Sequence, residues 1–307
     1  MGKYWGYLIH LGYNMWIDWD NPKYISYDIT STNYLRCEKD VWDKIIGKII
    51  DEKINMVVID IGEGIKFETH PELAVEGSWS KEEIKKEIRK LKKSGIEVVP
   101  KLNFSTTHDN WLGKYSRMVS TDIYYGVCRD LIEEVIEIFD KPKFFHLGMD
   151  EETYEHQKEF LYVVVRHSDL WWHDLYFLIN EVEKKNVRAW IWSDYLWRHR
   201  NEFFNKMPKS VLQSNWYYGE EFRDDIIYVR AFLELEEKGY EQIPAGSNWS
   251  KENNFPLLVN FSKKNISDSH LYGFLQTVWR PTTKKYYERH LKAIELLKNG
   301  REIYEKV

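Results

Sequence analysis

A chain of 307 residues suits either two average domains or one barrel of the (β/α)8 type. Hydrophobic residues at 43% and charged residues at 30% exclude a disordered chain, and a net charge of −5 speaks against a nucleic-acid scaffold. No apolar run reaches the roughly 18–20 residues of a membrane helix, two cysteines (Cys37 and Cys128) cannot build a disulfide framework, and the start lacks a charged-then-apolar signal segment. The expectation is a cytoplasmic protein with no membrane or nucleic-acid partner.

The elements alternate along the chain. Tyr4–His10 reads as a strand, and Glu38–Lys53 then sets Val41, Ile45, Ile49 and Ile50 on one helical face. Asn55–Ile61 is a second strand. Ser80–Lys93 opens on a capping box, with Ser80 and Glu83 three apart, and closes before Gly95. Strand Ile96–Leu102, helix Tyr124–Phe139 and strand Lys143–Leu147 follow. The second half repeats this rhythm: a helix from Ser168 or Asp169 to Lys185, strand Val187–Trp192, a short helix near Glu202, and strand Ser210–Asn215. Helix Asp224–Lys238, strand Glu241–Ala245, a helix near Phe255–Lys263, strand Leu271–Thr277 and helix Lys285–Tyr304 complete the chain. Alternation of this kind implies a parallel sheet with helical crossovers. Eight units with no Pro/Gly-rich linker between them point to one closed (β/α)8 TIM barrel over residues 1–307. No G-x-G-x-x-G follows the first strand to support an open dinucleotide fold.

Barrel chemistry sits at the carboxyl ends of the strands. Here those ends carry His10 and Asn14, Asp60 and Glu63, Asn103 and His108, then His146, Asp150, Glu151 and Glu152. Ser193 and Asp194, Asn215 with Trp216 and Tyr217, Asn248 with Trp249, and Gln276 with Trp279 follow. The opposite ends are mostly Lys, Gly and Asn, an asymmetry that says enzyme more than scaffold. Aromatic residues reach 16%, and several stand among hydrogen-bonding groups, as in Asn215-Trp216-Tyr217-Tyr218. Flat rings beside polar groups suit a ligand with apolar faces, such as a sugar.

The densest cluster is His146-Leu147-Gly148-Met149-Asp150-Glu151-Glu152. Strand alternation is expected to put His146, Gly148 and Asp150 on one face, with Glu151 turning into the pocket. Neighbouring carboxylates repel, so one of them is expected to keep its proton near neutrality, as acid-catalysed glycoside cleavage requires. Glu152 is expected to cap or solvate the next segment.

At this motif the sequence resembles the H-x-G-G-D-E segment on the fourth strand of family 20 glycoside hydrolases, the β-N-acetylhexosaminidases. Val98-Val99-Pro100-Lys101-Leu102-Asn103 with His108 resembles the family's third-strand V-I-P-E-x-D…H stretch. Trp190-Ile191-Trp192-Ser193-Asp194 and Gly273–Trp279 resemble its fifth- and eighth-strand ends. The resemblance implies a (β/α)8 barrel and retaining, substrate-assisted hydrolysis of terminal β-linked N-acetylhexosamine, with no cofactor. It makes Glu151 the general acid and Asp150 the partner of the sugar's acetamido group. Tyr217 or Tyr218 would hold the acetamido oxygen, and Trp192, Trp216, Trp249 and Trp279 would wall the sugar.

The departures lie among the groups that read sugar hydroxyls. The family's first-strand Arg has no counterpart in Leu8–Asn14, Arg280 and Pro281 follow Trp279 where an acidic residue is usual, and Met149 replaces a glycine. Lys101 and Asn103 replace acidic residues. Two other readings fit the same rim. One is a metal-dependent hydrolase or isomerase using His10, Asp60, His108, His146 and Asp150, although no H-x-H or H-E-x-x-H spacing occurs. The other is a carbohydrate-binding barrel without turnover.

Overall fold

The computed structural model describes residues 2–306. Its strands are β1 (Tyr4–His10), β2 (Met56–Asp60), β3 (Glu97–Lys101), β4 (Phe144–His146), β5 (Arg188–Trp192), β6 (Leu212–Ser214), β7 (Ala245–Ser247) and β8 (Gly273–Thr277). All pair in parallel, in the order β6-β5-β4-β3-β2-β1-β8-β7. The two end strands meet through bridges Gln213↔Gln242 and Trp216↔Ala245, with Ile243 N–H donating to the Gln213 carbonyl at 2.9 Å. The ring therefore closes into the expected barrel, and closure removes both sheet edges.

The crossover helices are α1 (Lys39–Asp51), α2 (Lys81–Lys93) and α3 (Asp122–Ile138), then a single turn α4 (Tyr154–Gln157), α5 (Ser168–Glu183) and another turn α6 (Tyr195–Arg198). The last four are α7 (Arg200–Lys206), α8 (Ile227–Glu237), α9 (Asn254–Asn265) and α10 (Tyr287–Glu305). Ser80 and Glu83 make both bonds of the capping box on α2. No helix among the described residues is long and apolar enough to cross a membrane.

Two buried clusters follow from the period-two alternation of the strands. Leu8, Met56, Val58, Val99, Phe144, Trp190, Leu212 and Leu275 fill the interior. Ile9, Val57, Ile59, Val98, Phe145, Ile191 and Phe274 face outward and pack with helix residues such as Ile45, Ile88, Leu131 and Leu175. The interior is thus a packed core and not a pore.

The seventh strand departs from the sequence expectation of Glu241–Ala245, because its regular part begins only at Ala245. Pro244 has no N–H to give the ladder, so the segment before it pairs through single bridges. Long connections, 11–38, 61–80, 102–121 and 147–167, stack over the carboxyl ends of the first four strands, while those at the other end are short.

Candidate active site

A polar row crosses the barrel beneath these connections. His10 pairs in register with Asp60, Asp60 with Lys101, and Lys101 with His146, so four adjacent strands present four polar side chains at one level. Lys101 Nζ donates to Asp60 Oδ2 at 2.6 Å, and His10 Nδ1 lies 3.3 Å from the same oxygen. Burial pushes the Asp60 carboxyl up, but the Lys101 charge and the His10 contact outweigh it and hold it at about 2. Burial, with Lys101 adding to it, pushes His146 well below its usual value, so this ring is neutral. Its Nδ1 accepts the Gly148 N–H at 3.0 Å, which puts the ring proton on Nε2. Trp192 packs on His146 with ring centres 4.5 Å apart, and Trp279 closes the layer above His10 at 5.6 Å. His10, Asp60, His146 and Trp192 therefore form a sealed floor and do not line an open cavity.

Above the floor the β4 strand has already ended. Alternation beyond His146 does not set the direction of the motif, as the sequence had suggested. Gly148 (φ 75°), Met149 (φ 72°) and Glu151 (φ 56°) are all left-handed and turn the chain out in a tight arc. Only glycine fits at 148, where a Cβ atom would stand 1.8 Å from Asn103 Oδ1. Asn103 organises the arc: Oδ1 accepts from Met149 N at 3.2 Å and Ser105 N at 3.0 Å, and Nδ2 donates to Asp150 Oδ1 at 2.8 Å. Thr107 Oγ1 donates to the Glu151 carbonyl at 2.7 Å, and Glu151 N–H donates to Asp194 Oδ2 at 2.9 Å.

Two imidazoles bracket the Glu151 carboxylate. His108 Nε2 lies 3.1 Å from Oε2 and also 3.4 Å from Asp150 Oδ2, while His156 Nε2 lies 3.4 Å from Oε1. Burial pushes Glu151 up, but its contacts with His108 and His156 dominate and hold it well below the usual carboxylate range. Burial lowers His108, and the adjacent Asp150 and Glu151 charges overcome that and raise it to about 10. The proton expected on one carboxylate of the Asp150–Glu151 pair thus rests on histidine, because two basic rings sit where only acid–acid repulsion had been anticipated. Beside the pair, Asp194 is pushed up to about 8 by burial and then by the charge of Asp150. Its Oδ1 is buried without a hydrogen-bond partner.

Glu152 neither caps nor solvates the next segment. Its side chain is buried against the Arg166 guanidinium, accepts from Thr106 N at 3.1 Å, and shares Arg166 with Asp174 at 2.9 Å. This pair pins the β4–α5 connection.

A cavity of about 730 Å3 opens beside the motif, lined by Glu151, His156, Asp194, Trp216, Tyr217 and Tyr218, with Trp171, Tyr195 and Trp197 adding rings. Asp150, 6% exposed, stands behind Glu151. A second, smaller cavity of about 210 Å3 touches the other side of Glu151, His156 and His108, against Trp16 and Phe160. Tyr218 stacks on Trp216 at 5.0 Å, and its hydroxyl accepts Trp279 Nε1–H at 2.9 Å, so its own hydrogen is left to donate. Trp249 lies under the Arg280 guanidinium at 3.9 Å, outside the cavity wall. Asn14 is engaged with Thr32 and Arg36 and holds the β1–α1 connection, as does Glu63, which accepts Tyr13 N–H at 2.8 Å. Arg36 folds back to the end of β1, but its NH2 is bonded to the Tyr13 carbonyl and Asn14.

Sequence reasoning did not single out His156, Arg166, Trp171, Tyr195 or Trp197. No spacing in the sequence announces His156, which a turn capped by Thr153 brings to 3.4 Å from Glu151 only in the folded chain. His108, Asp150 and Glu151 bring their ligand-type atoms within 4.8 Å of one another, the one such grouping among the described residues. His108 Nδ1 faces the Met15 carbonyl at 3.3 Å and Nε2 faces two carboxylates, so both nitrogens carry protons and the trio is an imidazolium between anions.

No protein-family model and no curated protein matches the chain. Among solved structures the barrel is similar to a chitobiase from Flavobacterium johnsoniae, with a TM-score of 0.64 and 15% identity over 88% of this chain and 48% of that one. It is equally similar to a family 20 exo-β-N-acetylglucosaminidase from Vibrio harveyi in complex with N-acetylglucosamine, with a TM-score of 0.64 and 12% identity over 96% and 54%. Dispersin B gives a TM-score of 0.63 at 15% identity over 87% of this chain and 95% of that one. The chain spans about half the length of the first two. At such identities the likeness establishes a shared barrel fold.

Proposed function

We propose that this chain is a retaining glycoside hydrolase acting on terminal β-linked N-acetylhexosamine by substrate assistance. The observation that carries the reading is the Asp150–Glu151 pair, held at the carboxyl end of β4 with Glu151 facing an aromatic-walled cavity on a barrel shared with family 20 enzymes. The substrate's own acetamido oxygen attacks the anomeric carbon, so no protein nucleophile is needed, and Glu151 protonates the departing oxygen and later deprotonates water. Asp150, fixed by Asn103, accepts the acetamido N–H and stabilises the cationic bicyclic intermediate. Of the two tyrosines, Tyr218 suits the acetamido oxygen. It is anchored by Trp279 and feels the charges of Glu151 and Asp150, whereas Tyr217 feels Glu221 and Arg223. Trp216 offers a ring face to the sugar.

A panel of chromogenic glycosides with and without a 2-acetamido group tests this, together with a thiazoline analogue of N-acetylglucosamine. Cleavage confined to acetamido sugars, insensitive to chelators and blocked by the thiazoline more tightly than by free sugar, is the expected result. Equal turnover of sugars lacking the group overturns substrate assistance, and loss of activity on chelation favours a metal-dependent hydrolase.

A further inference from the structure

We infer that His156 stores the proton that Glu151 uses, passing it from Nε2 to Oε1 when substrate binds. The inference rests on the glycosidase reading and concerns where the acid's proton resides between turnovers.

The two imidazoles around Glu151 differ in what they can give up. His108 is 2% exposed on its side chain, spends Nδ1–H on the Met15 carbonyl, and holds its Nε2–H between two carboxylates. Releasing that proton would leave Asp150 and Glu151 facing each other with nothing between. His156 has one carboxylate partner, a side chain 45% exposed, and a place at both cavities. Its Nδ1 lies 2.7 Å from Thr153 Oγ1, a hydroxyl that accepts Nδ1–H in the tautomer where Nε2 is bare and in the charged ring alike. The ring can therefore release and recover the Nε2 proton without losing that bond.

The transfer balances. The Nε2–H bond breaks, the Oε1–H bond forms, and a charged pair becomes a neutral one. The glycosidic oxygen then takes the proton from Oε1, Glu151 recovers one from the attacking water, and that proton returns to Nε2 once product leaves. Oε2 stays on His108, which makes Oε1 the donating atom. The groups facing His156 set its balance: Glu151 favours the charged ring, His108 opposes it, and Asp194 adds to Glu151 only once it ionises. Glu155 on its own turn and Lys158 and Glu159 just beyond stand at the smaller cavity.

The test is His156→Gln, assayed across pH on two acetamido glycosides, one with an alkyl leaving group that needs protonation and one with a dinitrophenyl group that does not. The expected result is a loss of about 10–100-fold on the alkyl glycoside at neutral pH with the optimum moved to lower pH. The dinitrophenyl substrate should be little changed, and added imidazole should restore His156→Gly. Equal losses on both substrates with an unchanged pH profile, or no loss on either, overturn the inference. If the wild-type chain cleaves no glycoside, the functional reading falls and the proton pairing is still decided by NMR titration of His156. A drop in its pKa in Glu151→Gln supports the pairing, and an unmoved pKa removes it.

Discussion

His108 lies with Nε2 3.1 Å from Glu151 Oε2 and so ties the β3–α3 connection to the end of β4. Both its nitrogens face acceptors, so the folded protein binds a proton that the unfolded chain releases above its ordinary value of about 6.5. A group raised in the native state stabilises fully below that value, and the contribution is lost as pH climbs through about 10. Thermal unfolding of the wild type should therefore weaken between about pH 6.5 and 10. His108→Gln, which cannot titrate, should be less stable at pH 6, and the gap should narrow by up to about 1.4 kcal/mol per pH unit between pH 6.5 and 10. A gap independent of pH would show that His108 is not an imidazolium.

Glu151 and Glu152 are adjacent yet belong to different parts of the structure, and their substitutions should separate activity from stability. Glu151→Gln removes the acid and should lower turnover of alkyl glycosides by about 10²–10⁴-fold with binding retained. Glu152→Gln removes one of the two carboxylates on Arg166, leaves Asp174 in place, and should cost about 1–3 kcal/mol of stability, read as a fall in Tm. Turnover per folded molecule should stay near that of the wild type. A stable but inactive Glu152→Gln would mean that the acid is the wrong carboxylate.

The fold was legible because apolar periodicity, caps and turn glycines agree along the chain. β1 runs over Tyr4–His10 as its pattern implies, and Ser80 caps α2 as read. β7 was displaced because alternation does not register the N–H that Pro244 lacks. At the site, residue types and rim positions could be read, but not the groups bracketing them. Three left-handed residues redirect Asp150 and Glu151, and no propensity announces a left-handed Met149 or Glu151. His156 and Arg166 meet the motif only through a folded-back connection, a pairing that sequence spacing does not specify.

Gly148 is the position where backbone and site are coupled most tightly. Gly148→Ala puts a Cβ atom onto the amide that holds Asp150 and leaves alanine at a φ of 75°. Strain of about 1–3 kcal/mol from the dihedral alone should add to the clash, lowering Tm and abolishing turnover. Asn103→Ala should fold and should lose rate chiefly on acetamido substrates, because it frees Asp150 without crowding the arc. If Gly148→Ala matches the wild type in Tm and rate, the arc is not as tight as described.

Asp194 carries the last prediction, and its sign is opposite to that of His108. Its carboxyl is raised from an ordinary 3.8 to about 8 by burial and by Asp150, with one oxygen accepting the Glu151 N–H and the other unpartnered. From about pH 4 upward the unfolded chain loses this proton while the folded one keeps it, so the unfolded state gains stability until pH 8, where the native carboxyl ionises and the cost is complete. Asp194→Asn keeps an acceptor for the Glu151 amide and removes the charge. It should match the wild type near pH 4, then become the more stable protein by a margin that widens to pH 8 and is constant above. The margin should widen by up to about 1.4 kcal/mol per pH unit across that window. Turnover should hold its wild-type rate to higher pH in this variant, because no further negative charge develops beside the Asp150–Glu151 pair. Chemical denaturation at pH 4, 6, 8 and 9 gives the margin directly, and a variant that is destabilised at every pH would place Asp194 among the ionised groups of the native state.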